Sequence, residues 1–219
     1  MKKKKWLLAC AMMFSMTAHA QWHIGVSAGG DYNVFTMNNQ YQSDWTSEGR
    51  WGGTFGIMGQ YDVLDWLGIR ADLNWTQKNY RRHRDRIPID YKYYNHYLQL
   101  PVMASMSVGG TKLRGFVNLG VYGGYWLKSQ RDGTDMNLFS GKYYTFSEDV
   151  KFNSERDQRW DCGLVGGVGL EYLFAPHWAA QLEVRYYYSL TSVQKQYMHV
   201  KDYRYNATTA IQVGVKYGF

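Results

Sequence analysis

Cysteine is nearly missing from this chain. There are two, and Cys10 lies in an N-terminal stretch that reads as a removable leader, which leaves Cys162 alone. No intramolecular disulfide can then staple the exported part, so its stability has to come from the fold. Proline is scarce, with 3 among 219 residues, and no apolar run after residue 20 reaches the length of a membrane-spanning helix. His23, His83, His96, His177 and His199 form no His-x-His or His-x-x-x-His pair that would gather a metal.

The first twenty residues differ in chemistry from the rest. Lys2 to Lys5 make a basic start, Trp6 to Met16 an apolar core, and Ala18-His19-Ala20 a small-residue cleavage site, so a secretory signal peptide with cleavage after Ala20 is expected. Leu7-Leu8-Ala9-Cys10 looks like a lipobox, but cleavage there would leave only Trp6 to Ala9 as apolar core. Losing the leader removes four lysines, and the formal net charge falls from +7 to +3. The basic balance is therefore mostly targeting, and nucleic acid is not an expected partner.

Aromatic side chains are abundant, 17% of the chain with 20 Tyr and 9 Trp, more than a water-soluble core needs. They are placed on a period of two. In 206–219, Ile211, Val213, Val215, Tyr217 and Phe219 alternate with Ala210, Gln212, Gly214, Lys216 and Gly218, as in a strand with one greasy and one wet face. The same alternation recurs in 22–32, 51–61, 67–76, 96–108, 113–127, 159–174 and 178–190. These eight segments are joined by connections that run long, short, long, short, long, short, long. The pattern predicts an all-β fold, an eight-stranded antiparallel up-and-down transmembrane β-barrel with both termini periplasmic and the first and last strands paired. Aromatic residues then fall at two rims: Trp22, Tyr61, Phe174, Trp178, Tyr217 and Phe219 on the periplasmic side, Tyr32, Trp51, Trp75, Tyr125, Tyr186 and Tyr188 on the outer side. Residues 21–219 form one domain after the leader at 1–20.

The wet faces carry charges of both signs. Asp31, Asp72, Glu171 and Glu183 balance Arg70, Arg114, Arg185 and Lys216, which reads as a self-neutralising network filling a narrow lumen, in preference to a proton or ion path. Ser105 and Ser107 point inward without a sequence partner, so no catalytic residue is expected, and no cofactor or metal. Gly123-Gly124 and Gly166-Gly167-Val168-Gly169 lie inside strands with no following helix and do not read as phosphate loops. The candidate contact surface is the basic second loop, 77–95, where Arg81, Arg82, Arg84 and Arg86 accompany Tyr91, Tyr93, Tyr94 and Tyr97; guanidinium and phenol groups grip phosphate, acidic sugar or protein well. The longest loop, 128–158, is near neutral.

Leu73-Asn74-Trp75-Thr76-Gln77-Lys78, Tyr97-Leu98-Gln99-Leu100-Pro101 and Leu182-Glu183-Val184-Arg185-Tyr186, with Asn118-Leu119-Gly120 and Gly167-Val168-Gly169-Leu170-Glu171, resemble the PorT-like family of small outer-membrane β-barrel proteins. Asn79 departs from the family's usual Gly, a change that left-handed backbone angles tolerate. The resemblance implies fold and bacterial outer-membrane location more firmly than activity, together with a link to protein secretion across that membrane. A non-enzymatic structural or interaction protein of the envelope is expected. Its expected partners are outer-membrane lipid and lipopolysaccharide, the barrel-assembly machinery reading Val215, Tyr217 and Phe219, and envelope or secretion proteins. The alternatives are a small lipid- or glycan-modifying enzyme and a soluble lipocalin-type carrier, which would need apolar residues inside and polar ones outside.

Overall fold

The computed structural model describes residues 21–37, 44–195 and 204–219. The expected leader at 1–20 and His199 lie outside the described residues. Ten strands are formed: β1 (Gln21–Met37), β2 (Trp45–Leu64), β3 (Leu67–Gln77), β4 (Tyr80–Arg84), β5 (Asp90–Gly109), β6 (Leu113–Met136), β7 (Tyr143–Asp149), β8 (Trp160–Ala175), β9 (Trp178–Ser189) and β10 (Arg204–Gly218). Eight of them, β1, β2, β3, β5, β6, β8, β9 and β10, pair in that order as an antiparallel ring. The ring closes between β1 and β10, in register from His23↔Gly218 to Met37↔Arg204.

Alternation decides the faces. Trp22, Ile24 and Val26 of β1, Phe55 and Ile57 of β2 and Ile211 and Val213 of β10 face outward and are exposed, while Ser27, Asp31, Thr54, Met58, Gln212 and Lys216 are buried inside. Apolar outside and polar inside is the arrangement that lipid demands and water forbids. It is the reverse of what a soluble carrier barrel requires. Ring pairs mark both rims: Trp22–Tyr61 at 4.8 Å and Trp178–Tyr217 at 5.0 Å near the short turns, Tyr32–Trp51 at 5.4 Å and Tyr125–Trp160 at 5.1 Å at the opposite end.

Two strands were not expected, because they lie in segments read as loops. Residues Tyr80–Arg84 form β4, paired with Trp45–Gly49 of β2 and with Asp90–Tyr93 of β5. Residues Tyr143–Asp149 form β7, paired with Gln130–Met136 of β6. Upper β2, β4, upper β5, upper β6 and β7 therefore make a five-stranded wall beyond the outer rim. The strands overrun the membrane by a wide margin. At 24 residues, β6 is more than twice the roughly 9–11 residues a spanning strand needs.

The parity of β6 also changes along its length. Tyr97 pairs with Trp126 but its neighbour His96 pairs with Lys128, so Leu127 is an extra residue. Below this bulge the even positions Asn118, Tyr122 and Trp126 are buried; above it Ser129 is the buried one. A bulge re-aims the side chains that follow it, and here it turns Arg131 toward the barrel mouth.

Closure at the β1–β10 seam depends on small residues. A Cβ on Gly29 would run into the carbonyl oxygen of Ile211 and come within 2.8 Å of Gln212 Cα, whereas one on the outward Gly30 would meet nothing closer than 3.4 Å. Gly29→Val is therefore expected to lower the fraction of chains that migrate as folded barrel on an unboiled gel, and Gly30→Ala to leave it unaltered. An unaltered folded fraction with Gly29→Val would show that the seam tolerates bulk.

Candidate functional site: the charged lumen and the barrel mouth

Four charges meet in the middle of the lumen. Arg70 and Asp72 come from β3, Glu183 and Arg185 from β9, and these strands sit half the ring apart. Residues two apart on a strand share a face, so each strand supplies its own pair. Arg70 donates to Asp72 through Nε at 2.9 Å and Nη2 at 3.2 Å, and Arg185 donates to Glu183 through Nε at 2.7 Å and Nη2 at 2.8 Å. The two pairs are then cross-linked, Arg185 Nη2 to Asp72 Oδ2 at 2.6 Å and Arg70 Nη1 to Glu183 Oε2 at 3.3 Å. Asn118 Nδ2 donates to Glu183 Oε1 at 2.7 Å. The relative exposures, 1% for Arg70, Asp72 and Glu183 and 0% for Arg185, show that water does not hold these charges. The quartet is neutral as a unit, the condition under which buried charges are tolerable.

The other expected lumen residues are arranged around it. Lys216 Nζ pairs with Glu171 Oε2 at 2.5 Å at the end of the short turns. Asp31 accepts the Thr76 hydroxyl. Arg114 lines a cavity of about 350 Å³ at the short-turn end with His23, Asp62 and Lys216 and makes no ion pair with a described residue.

A second buried pair had no place in the sequence reading. Lys78 Nζ lies 2.6 Å from Asp161 Oδ2, and Asp161 Oδ1 accepts Tyr122 Oη at 3.1 Å and Ser189 Oγ at 2.5 Å. The ammonium is also held 5.1 Å and 5.0 Å from the Tyr97 and Tyr122 ring centres. A signal was present. Lys78 continues the inward even row Asp72, Asn74, Thr76, and Asp161 stands on the odd row that reaches Glu171.

Aromatic rings cover the lumen above these charges. Phe35 stacks on Tyr80 at 4.2 Å, and Tyr80 on Tyr93 at 4.5 Å, joining β1, β4 and β5. Beside them Tyr97 stacks on Trp126 at 5.7 Å, and Trp126 meets the edge of Phe152 at 4.8 Å.

The arginines of the second loop are engaged within the wall. Arg81 pairs with Asp90 at 2.7 Å and Glu48 at 3.3 Å, Arg86 with Asp44 at 3.6 Å, and the guanidiniums of Arg82 and Arg84 each lie 5.0 Å from the centre of the Trp45 ring. Tyr94 accepts from Arg50 Nη2 at 3.5 Å. Farther round the mouth, burial works to raise the Asp157 carboxyl, but hydrogen bonds from Arg156 and the Asn153 N–H hold it below the usual range. Ser105 and Ser107 line the cavity at the short-turn end, and neither hydrogen-bonds to a histidine among the described residues. No group of three or more His, Cys, Asp or Glu side chains among the described residues could hold a metal ion. Phe219 donates its N–H to Trp22 O at 2.9 Å and meets Tyr217 edge-on at 5.1 Å, next to the closing seam.

The sequence matches the profile of the outer membrane protein beta-barrel domain over residues 6–219. The chain belongs to this family. It is an outer-membrane β-barrel protein of the bacterial envelope. Similar solved structures include the outer membrane protease OmpT from Escherichia coli, 8% identical with a TM-score of 0.52 over 91% of this chain and 96% of that one. Another is the outer membrane protein OprG from Pseudomonas aeruginosa, 14% identical with a TM-score of 0.50 over 91% of this chain and 95% of that one. At such identities the likeness is one of fold alone. No curated protein sequence matches the chain.

The quartet generates a direct test. Glu183→Gln leaves two arginines facing one carboxylate, and breaking a buried pair in this way is expected to cost about 3–5 kcal/mol. Combining it with Arg185→Met removes one charge of each sign and should cost less than the sum of the two single changes. Urea unfolding of the protein in lipid vesicles reads both, and simple additivity would show that the four charges do not act together.

Proposed function

We propose that this barrel is a non-conducting, non-enzymatic protein of the outer membrane that works through its outward face, as a structural or interaction element. The observation that carries the reading is the quartet joining opposite walls of the lumen, with a layer of stacked rings above it. An eight-stranded barrel has an interior about as wide as its own side chains, and here the widest ones are tied across it. The residues that extend β2, β5 and β6 and add β4 and β7 build a wall outside the membrane. Strand residues spent there do nothing for spanning and are consistent with presenting a surface.

The PorT-like resemblance adds the finer part of the reading, a service to protein secretion across the outer membrane. Lys2–Lys5, Trp6–Met16 and Ala18-His19-Ala20 support export through a leader cleaved after Ala20. In the same reading the outward row Val215, Tyr217 and Phe219 is what the assembly machinery engages, and outer-membrane lipid and lipopolysaccharide surround the barrel. The arginines of the second loop act within the wall, holding Trp45, Glu48 and Asp90 in place, and shape the surface that Tyr93 and Tyr94 border.

Two measurements test this. In planar bilayers the purified protein should give no discrete conductance steps; steps of porin size would overturn the plug. In vivo crosslinking from intact cells should capture envelope or secretion proteins with the wild type and lose them when the wall hairpin Tyr80–Tyr93 is replaced by a short turn. Capture unaltered by that replacement would remove the wall from the proposal. Tyr217→Ser combined with Phe219→Ser should lower the assembled fraction recovered in the outer membrane without altering synthesis, as read by fractionation.

A further inference from the structure

The mouth of the barrel holds a cavity of about 570 Å³ between the wall and the loop that follows β7. Five basic residues line it, Arg82, Arg131, Lys151, Arg156 and Arg204, against the acids Glu148, Asp149 and Asp157. Each of these acids is already engaged by a base: Glu148 by Arg131, Asp149 by Lys128 at 2.9 Å, and Asp157 by Arg156 at 2.8 Å. The lining thus keeps a positive excess. Lys151 stands on the loop side, exposed and in no ion pair with a described residue.

The floor adds two features. The stacked rings of Phe35, Tyr80 and Tyr93 give apolar surface together with phenol hydroxyls. Trp126 lines the same cavity and adds its indole ring to that surface.

From this combination we infer that the mouth is a binding site for an acidic saccharide, a sugar carrying carboxylate, phosphate or sulfate. The inference rests on the reading above and gives the outward face a ligand class. A bare inorganic anion would leave most of the cavity and its ring surface unused, and an acyl chain would strand the cations. A sugar of one or two rings fits the volume range of small-molecule sites. Its C–H faces suit aromatic rings, and its acidic group suits Lys151 and the forked guanidiniums. Two sources share that chemistry, the sugars of the cell's own lipopolysaccharide and uronate-bearing polysaccharide from outside.

The test is isothermal titration of the full protein in lipid nanodiscs with three probes: a galacturonate disaccharide, the neutral galactose disaccharide, and core oligosaccharide released from the cell's own lipopolysaccharide. At least one acidic probe should bind about tenfold or more tightly than the neutral one, the scale of a hydrogen bond to a charged group. Added salt should weaken that binding. Lys151→Gln should weaken it and Lys151→Glu weaken it further, both leaving the gel mobility of the folded barrel unaltered. Binding of the core oligosaccharide assigns the source to the cell's own surface, and binding of the galacturonate probe alone assigns it to the outside. Equal affinity for acidic and neutral sugar, no binding of any probe, or full binding by both variants would overturn the site. The conductance test stays separate, because a barrel that conducts and still binds acidic sugar would overturn the plug and leave this site standing.

Discussion

Charge inside a dry, narrow barrel is the constraint on which the rest of this protein depends. The outer wall must be apolar because lipid surrounds it, so polar side chains are consigned to the interior, where there is little water to solvate them. The quartet of Arg70, Asp72, Glu183 and Arg185 meets that condition by making every charge a partner of two others. Because the two strands involved face each other across the ring, the same contacts that neutralise the charges also tie opposite walls together. Lys78 with Asp161 and Lys216 with Glu171 repeat the solution nearer the two ends.

Outside the membrane the problem is inverted. The outer face of the extended strands meets water, and the wall is held by rings and guanidiniums as well as by the burial of Phe35, Tyr80 and Ile89 on its inner face. Trp45 lies beside Arg82 and Arg84, Arg131 sits 5.2 Å from the Tyr91 ring and 4.9 Å from the Phe146 ring, and Arg159 lies 4.5 Å from the Tyr125 ring and 4.4 Å from the Phe152 ring. Cation–π contacts of this kind bring the long cationic side chains and the aromatic surplus into one construction. The basic second loop thereby becomes part of a framework around the mouth, and the cations that face inward come from several strands and not from that loop alone.

The sequence by itself determined the barrel. A period of two over eight segments, with connections alternating in length, admits few other arrangements, and the terminal row from Ile211 to Phe219 already carried its lipid face. It also determined which members of the quartet lie inside, since each of them stands on the wet row of its strand. The tertiary structure alone decided who meets whom. Arg70 and Glu183 are separated by more than a hundred residues and touch only because β3 and β9 fall on opposite sides of a closed ring. Lys78 belongs to the segment whose composition reads as the second loop, but the inward row continues past the end of β3 and buries its ammonium against Asp161. The strands β4 and β7 exist because neighbours offered open hydrogen-bonding edges to segments whose composition read as loop. The mouth owes Arg131 to a single extra residue, Leu127, which shifts the parity of β6 in a way that no count of alternating residues registers. Local periodicity is written in the chain, but closure, bulges and contacts across the lumen arise only when distant strands are brought into register.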